Sequence, residues 1–283
     1  MNYANDTLLG ESSTYIAEAS SPAAKQTTLS VVIVAYNPGD YVIEMFDSLV
    51  AQKSQPDEII YYDDCSTDGS LAFVEGYRSK LANLRIIRGN ENIGISAARN
   101  RANSIATSEF IAVLDSDDQF LPETVATYRK VLEADSTLDL ICADTLVFRD
   151  GSNKRRLMQY PALAKSSSPV TSLMARPLVP FKHSSILYRK SKIERIGGYR
   201  EDLPLKVDFE MMIRFIRSGG AFAKLNSPAS LHRTHTHQIS RNRIKGIRCY
   251  FKVIDLHETR LAHAVLLKMI RAAAEAAKWA LGR

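Results

Sequence analysis

The sequence has little of what fixes a fold covalently. Its 283 residues hold three cysteines, Cys65, Cys142 and Cys249. They are odd in number, far apart and in no CxxC pair, which argues against a disulfide framework or a cysteine-built zinc site. A reducing compartment is the simpler setting. Long apolar runs are also missing. None reaches the roughly 18 to 20 residues that cross a bilayer, and the longest strong one, 29–35, has the length of a buried strand. The opening MNYANDTLLGESST lacks the basic and apolar regions of a secretory leader. A membrane-spanning polymer synthase is not expected; a cytoplasmic protein is, with peripheral association at the inner membrane face as the variant. Net charge is small as well: 37 Lys and Arg against 31 acids leave +6. With no recognised module beside it, that excess does not support nucleic-acid binding.

What is present is ordinary globular composition, 45% apolar and 24% charged. Residues 1–28 are small and polar without periodicity and read as a flexible tail. Strands then alternate with helices. LSVVIVAY (29–36) is a β-branched run suited to a strand covered on both faces. Asn37-Pro38-Gly39 breaks it, Asp40 is placed to cap a helix, and that helix sets Ile43, Phe46 and Val50 on one face. DEIIYYDD (57–64), LRIIRG (84–89) and FIAVLD (110–115) read as further strands, 94–106 as a helix, and Pro122 suits the first turn of the next. Such alternation predicts an α/β fold with a mostly parallel sheet. Past 150 the alternation decays. RDGSNKRR reads as a solvated basic loop, 207–218 as a helix, 221–226 as a late strand, and 241–283 as basic and then helical.

In an open parallel sheet, ligands bind beyond the carboxyl ends of the strands. Three such ends carry unusual polar groups: Ala35-Tyr36-Asn37, Asp63-Asp64, and Asp115-Ser116-Asp117-Asp118. Tyr36 offers a ring for stacking on a base. Asp64 offers an acceptor for a base or ribose donor. Ser116 is small enough for Asp115 and Asp117 to serve one ligand. Three acids in four residues repel one another unless a cation or donors offset the charge. Mn²⁺ or Mg²⁺, held by carboxylates and substrate phosphates, meets that need. The same acids also suit a capped turn; the acidic end of the 57–64 strand favours the ligand site. NIGISAARN (92–100) opens a helix with small residues, and Arg99 within it has the reach for a phosphate or base edge. Asp208 lies near the start of the 207–218 helix. Three of the six histidines fall at 232, 235 and 237.

Taken in order, SVVIVAYN, DDCSTDGS, NIGISAARNRA, FIAVLDSDD, GGYRE with VDFEMMIR, and RTHTHQIS resemble a family 2 glycosyltransferase of the GT-A fold, from about 29 to 240. The resemblance implies a Rossmann-like sheet flanked by helices. A nucleotide-binding half would span about 29–118, an acceptor half about 119–240, and a helical extension 241–283. It implies transfer of a sugar, with inversion, from a nucleotide-diphospho-sugar (UDP by the family's habit) to a glycan or lipid-linked acceptor in surface polysaccharide synthesis. By position, Asp64 contacts the base, Ala35, Tyr36 and Asn37 line the same pocket, and Arg99, Asp115 and Ser116 hold the donor. Asp117 and His235 ligate Mn²⁺ or Mg²⁺, with His237 second to His235. Asp208 is the base; Val207 stands where the family has Glu, and Glu210 is the alternative. Arg99, Arg233, Arg241 or Arg243 would steady the leaving diphosphate. Competing readings are a nucleotide-sugar-binding domain without turnover, which Val207 favours, and a nucleotidyltransferase, which 37–40 suits poorly. Residues 261–281 read as a helix with Lys268, Arg271, Glu275 and Lys278 on a polar stripe. It is expected to dock on the protein's own core, with homodimer or peripheral membrane contact as the other readings.

Overall fold

The computed structural model describes residues 27–160, 169–175, 181–236, 238 and 242–280, and within these not the side chains of 169, 278 and 279. The expected tail therefore lies almost wholly outside the described residues, as do His237 and Arg241.

The chain begins with β1 (Leu29–Ala35), α1 (Tyr41–Val50), β2 (Glu58–Asp63), α2 (Ser70–Glu75), β3 (Leu84–Arg88), α3 (Ile95–Ile105) and β4 (Phe110–Val113). β1 pairs in parallel with β2 on one side and β4 on the other, and β3 extends the sheet beyond β2. The apolar run of β1 is explained by burial on both faces. Leu29, Val31, Ile33 and Ala35 pack with α1, α2 and α4 (Thr124–Ala134), while Val32 and Val34 pack with α3 and the later helices. In α1 the buried side is Val42, Met45, Phe46 and Leu49, with Val50 exposed. The expected Ile43–Phe46–Val50 face is therefore rotated: Glu44 and Asp47 need the solvent side, which pulls the apolar stripe around. Asp40 makes no side-chain cap.

The second half is less regular. It runs β5 (Gln119–Phe120), α4, β6 (Leu140–Arg149), β7 (Arg155–Met158), α5 (Pro169–Ala175), β8 (Ile186–Arg189), α6 (Lys190–Arg195), α7 (Val207–Arg217) and β9 (Phe222–Thr234). The basic stretch expected as a loop is the turn and second strand of a β6–β7 hairpin. β6, unmarked in the sequence reading, is the partner of β7, β8 and β9. The nine strands of the described residues form one sheet in the order β3-β2-β1-β4-β8-β6-β9-β5, with β7 on β6. The β1–β4 portion is wholly parallel, β8 joins β4 antiparallel, and parallel pairing returns between β6 and β9. β4 lies mid-sheet while β5, six residues later, closes the far edge on β9. The sheet must curl to allow this, and the curl brings the end of β9 over the end of β4. Two helices follow, α8 (Arg243–His257) and α9 (Leu261–Ala280).

Candidate active site

The strand order reverses between β1 and β4, so a crevice opens at their carboxyl ends. Its first wall is a set of loops stitched together by short polar side chains. Asp64 N–H donates to Ala35 O at 2.8 Å. The Asp64 carboxylate accepts Ile93 N–H and Gly94 N–H, both at 3.0 Å, tying β2 to the start of α3. Asn37 accepts Thr67 N–H at 2.7 Å and donates its own N–H to Ser66 Oγ at 2.9 Å. Gly39 N–H donates to Asp68 at 2.7 Å. Tyr36 stands at the rim, 53% exposed. Ala35 faces the other way, its methyl in the core, so only its backbone borders the crevice. Among the described residues, the non-glycine positions with positive φ are Asn37 (49°), Cys65 (66°) and Lys206 (65°). Two belong to this wall and the third introduces α7. Backbone held in this region costs free energy and is retained where surroundings over-determine it.

The acidic turn after β4 splits into three environments. Asp115 receives Arg99 Nη2 at 2.6 Å and lies 3.5 Å from His183 Nδ1. Burial alone would push its pKa up, but Arg99 and His183 outweigh burial and hold it well below the usual carboxylate range. His183 in turn contacts Tyr199 Oη at 2.8 Å through Nε2. Burial and the Arg99 charge press its pKa down, so it stays neutral near pH 7. Asp117, beyond the half-buried Ser116, meets His235 Nε2 at 2.9 Å and Gln238 Nε2 at 3.4 Å. Its pKa is raised, by burial first and then by the charges of Asp118 and Asp115. Asp118 is structural. It accepts Ser184 Oγ at 2.5 Å and Arg233 N–H at 3.0 Å, and pairs with His232 at 2.9 Å, pinning the turn to β9.

The opposite wall is the start of α7. Lys206 turns the chain in the left-handed region, Val207 enters the core, and Asp208 is half-buried. Its charge acts on Arg99, His183 and Tyr199, which places it beside the Asp115 cluster. Among the described residues no hydrogen bond or ion pair holds its carboxylate. Glu210 differs: it is fully buried and bonded to Arg214 and to His257 at 3.0 Å on α8. It braces α7 rather than facing the crevice. Arg233 is likewise committed, to Glu44 at 2.6 Å and Asp150 at 2.7 Å, with its guanidinium over Tyr41 and Phe148. It is not available to a diphosphate.

The structure thus pairs Asp115 with Arg99 and sets Asp208 within electrostatic range of that pair, with Asp117 and His235 adjoining it and Asp64 at the base of the neighbouring wall. Sequence reasoning missed His183 and Tyr199. His183 sits in no patterned motif, and Tyr199, although within GGYRE, was given no role there; the folding of β8 and the 197–200 turn against α3 brings both in. The residues present suit a divalent ion. Asp117 and His235 supply an oxygen and an imidazole at one point, and a cation there would relieve the carboxylate repulsion that raises Asp117. Among the described residues no cluster of three ligating side chains occurs, so substrate oxygens or water would complete the coordination.

Comparison with known proteins agrees with this architecture. The model of "Glycosyl transferase family 2" matches residues 30–197. The succinoglycan biosynthesis protein ExoO of Rhizobium meliloti is 27% identical over 225 residues, covering 77% of this chain and 64% of that protein. The chain thus spans just under two thirds of that relative's length. Among solved structures, S. aureus TarS 1–349 in complex with UDP-GlcNAc superposes with a TM-score of 0.65 at 21% identity, over 88% of this chain and 72% of that one. The mannosyltransferase PcManGT from Pyrobaculum calidifontis, in complex with GDP-Man and Mn²⁺, gives 0.64 at 19%, over 92% and 77%. At these identities the likeness speaks for the fold, which is GT-A. With a matched family model over more than half its length, the chain belongs to glycosyl transferase family 2.

Proposed function

We propose that the protein transfers a sugar, with inversion, from a nucleotide-diphospho-sugar to a hydroxyl of a glycan or lipid-linked acceptor. The observation that carries this reading is the carboxylate of Asp208, unengaged among the described residues and within electrostatic range of the Arg99–Asp115–His183 cluster. A base must hold its lone pair free until the acceptor arrives; every other carboxylate of the crevice already has a partner. Asp64, Asn37 and Tyr36 border the space for the nucleoside, with Tyr36 stacking on the base. Asp115, its charge matched by Arg99, retains an oxygen for a ribose or sugar hydroxyl. Asp117 and His235 would hold Mn²⁺ or Mg²⁺, which neutralises the leaving diphosphate when bound. Inversion requires the acceptor hydroxyl to attack from the face opposite the diphosphate, which in this reading puts the base on α7 and the cation on the β4 turn. The relative's role in succinoglycan biosynthesis supports a polysaccharide product, and the bound UDP-GlcNAc of TarS supports UDP as the nucleotide.

The test is a thermal-shift panel of UDP-, GDP- and dTDP-sugars with and without Mn²⁺, followed by donor hydrolysis or transfer with the sugar that binds. A ligand that binds only the native state raises its melting point. Binding with slow donor hydrolysis or transfer supports the enzyme. Binding without any turnover supports a binding-only domain, the reading Val207 favours. No shift with any nucleotide sugar overturns both.

A further inference from the structure

The outer face of α9 is built the wrong way round for water. A surface helix normally turns its charges outward. Here Arg271 is 1% exposed, its guanidinium donating to the Met174 and Leu173 carbonyls at the end of α5 and lying over Phe209 and Tyr250. Ala264 and Leu267 share this buried side, and Lys268 is held by Asp255 at 2.5 Å. Lys268, Arg271 and Glu275 of the polar stripe read from the sequence thus lie on the side that docks on the core. Every exposed position of α9 whose side chain is described is apolar: Leu261, Val265, Leu266, Met269, Ile270 and alanines. Met269 is 64% and Leu266 52% exposed. The helix has 20 residues, so this face runs about 30 Å. Contiguous apolar surface of that extent marks a place where something docks.

Charge says what. Residues 241–283 contain ten Lys or Arg and three acids, whereas the whole chain carries +6. The rest of the protein is therefore slightly acidic, and the cationic excess is confined to the segment that bears the bare face. On α8, Lys245 and Arg248 are exposed, with no acidic partner among the described residues. A second copy seated on this face would bring two such cationic segments together. An anionic bilayer would neutralise them while covering the apolar side chains, and no helix of the described residues is long and apolar enough to cross it. We propose that α9 lies in the plane of an anionic lipid surface, its apolar face in the headgroup–acyl boundary and the exposed Lys245 and Arg248 of α8 toward the lipid phosphates. Phe209 touches Arg271 and follows Asp208 in α7. The surface therefore lies behind the wall that carries the proposed base, on the acceptor side of the crevice.

The proposal does not rest on glycosyl transfer, and its test uses neither donor nor acceptor. The full chain is floated with vesicles of phosphatidylcholine alone and of phosphatidylcholine with phosphatidylglycerol, at low and high salt. Binding is expected to the anionic vesicles only, weakened by salt. The double variant Leu266→Glu, Met269→Glu, on exposed positions, should lower the bound fraction by more than about tenfold with the melting temperature kept. Failure of the wild type to float on anionic vesicles overturns the proposal. So does a dimer in sedimentation that the same double variant dissociates, since that result assigns the face to a second copy.

Discussion

The two walls of the crevice treat their acids in opposite ways. On the donor side each carboxylate is spoken for: Asp64 by two backbone N–H groups, Asp115 by Arg99, Asp117 by His235, Asp118 by Ser184, His232 and the Arg233 N–H. On the α7 side Glu210 is equally tied, by Arg214 and His257, yet Asp208, two residues earlier, has no such partner among the described residues. Bonded acids are preorganised. They fix loop positions, which suits the proposed role of this wall in receiving a polyanion through a cation and fixed donors. An acid without such partners keeps its lone pairs open to an incoming hydroxyl, which is what the proposed base requires. The difference separates positioning from chemistry within one group of residues.

The sharpest way to break that separation is Asp208→Asn, which keeps the shape and removes the base. Turnover should fall by about 10²- to 10⁴-fold, while calorimetry shows donor binding little changed. Near-normal turnover would assign the base elsewhere. Next in size is His235→Ala. If Asp117 and His235 share an ion, Mn²⁺ affinity followed by paramagnetic resonance should fall about 10- to 100-fold, and donor binding measured with EDTA should not change. An equal loss with and without metal would make His235 a structural neighbour of Asp117 only.

Much of the donor wall was legible in the letters. β1 to β4, the acidic strand ends and the small-residue start of α3 follow from local pattern, because a strand buried on both faces has no choice but a continuous apolar run. The acceptor side was less so. β6 carries Asp144 and Thr145 in its interior, where Lys224 and the Ser185 and Ser230 hydroxyls satisfy them; no window of sequence contains those partners. His183 is one histidine before β8 until the fold sets it between Tyr199 and Asp115. The polar stripe of α9 was visible, but which side of it meets the core depends on Phe209 and Tyr250, far away in sequence.

A smaller effect concerns pH. An unfolded chain protonates its histidines near pH 6.5, whereas burial and Arg99 lower the pKa of folded His183. The unfolded state then binds more protons as pH falls from about 7 towards the folded pKa, so His183 costs stability across that window. Asp115, whose folded pKa is depressed, keeps its contribution until pH falls below the ordinary carboxylate range. Asp117, whose folded pKa is raised, acts the other way and gains stability as pH drops. The wild type and His183→Gln share the two aspartates, so their difference isolates the histidine. The decline in melting temperature between pH 7.5 and 5.5 should be shallower in the variant; parallel curves would mean that His183 is not held neutral.

The smallest expected change tests whether the donor wall is rigid because its loops are over-determined. Cys65 holds φ at 66° next to Asp64, with only a long Sγ contact to Asn90 O at 3.7 Å. The left-handed region costs a side chain about 1 to 2 kcal/mol, and glycine removes that cost while adding about 0.5 to 1 kcal/mol of unfolded-state entropy. Cys65→Gly should therefore stabilise the protein by up to about 1 kcal/mol, or about 2 to 4 °C in melting temperature. Because Ser66, Thr67 and Asp68 still bind Asn37 and Gly39, donor affinity should stay the same. A gain in stability with weaker donor binding would show instead that the strained thiol residue itself sets the Asp64 geometry, and that this wall is held by one backbone conformation rather than by its network of hydrogen bonds.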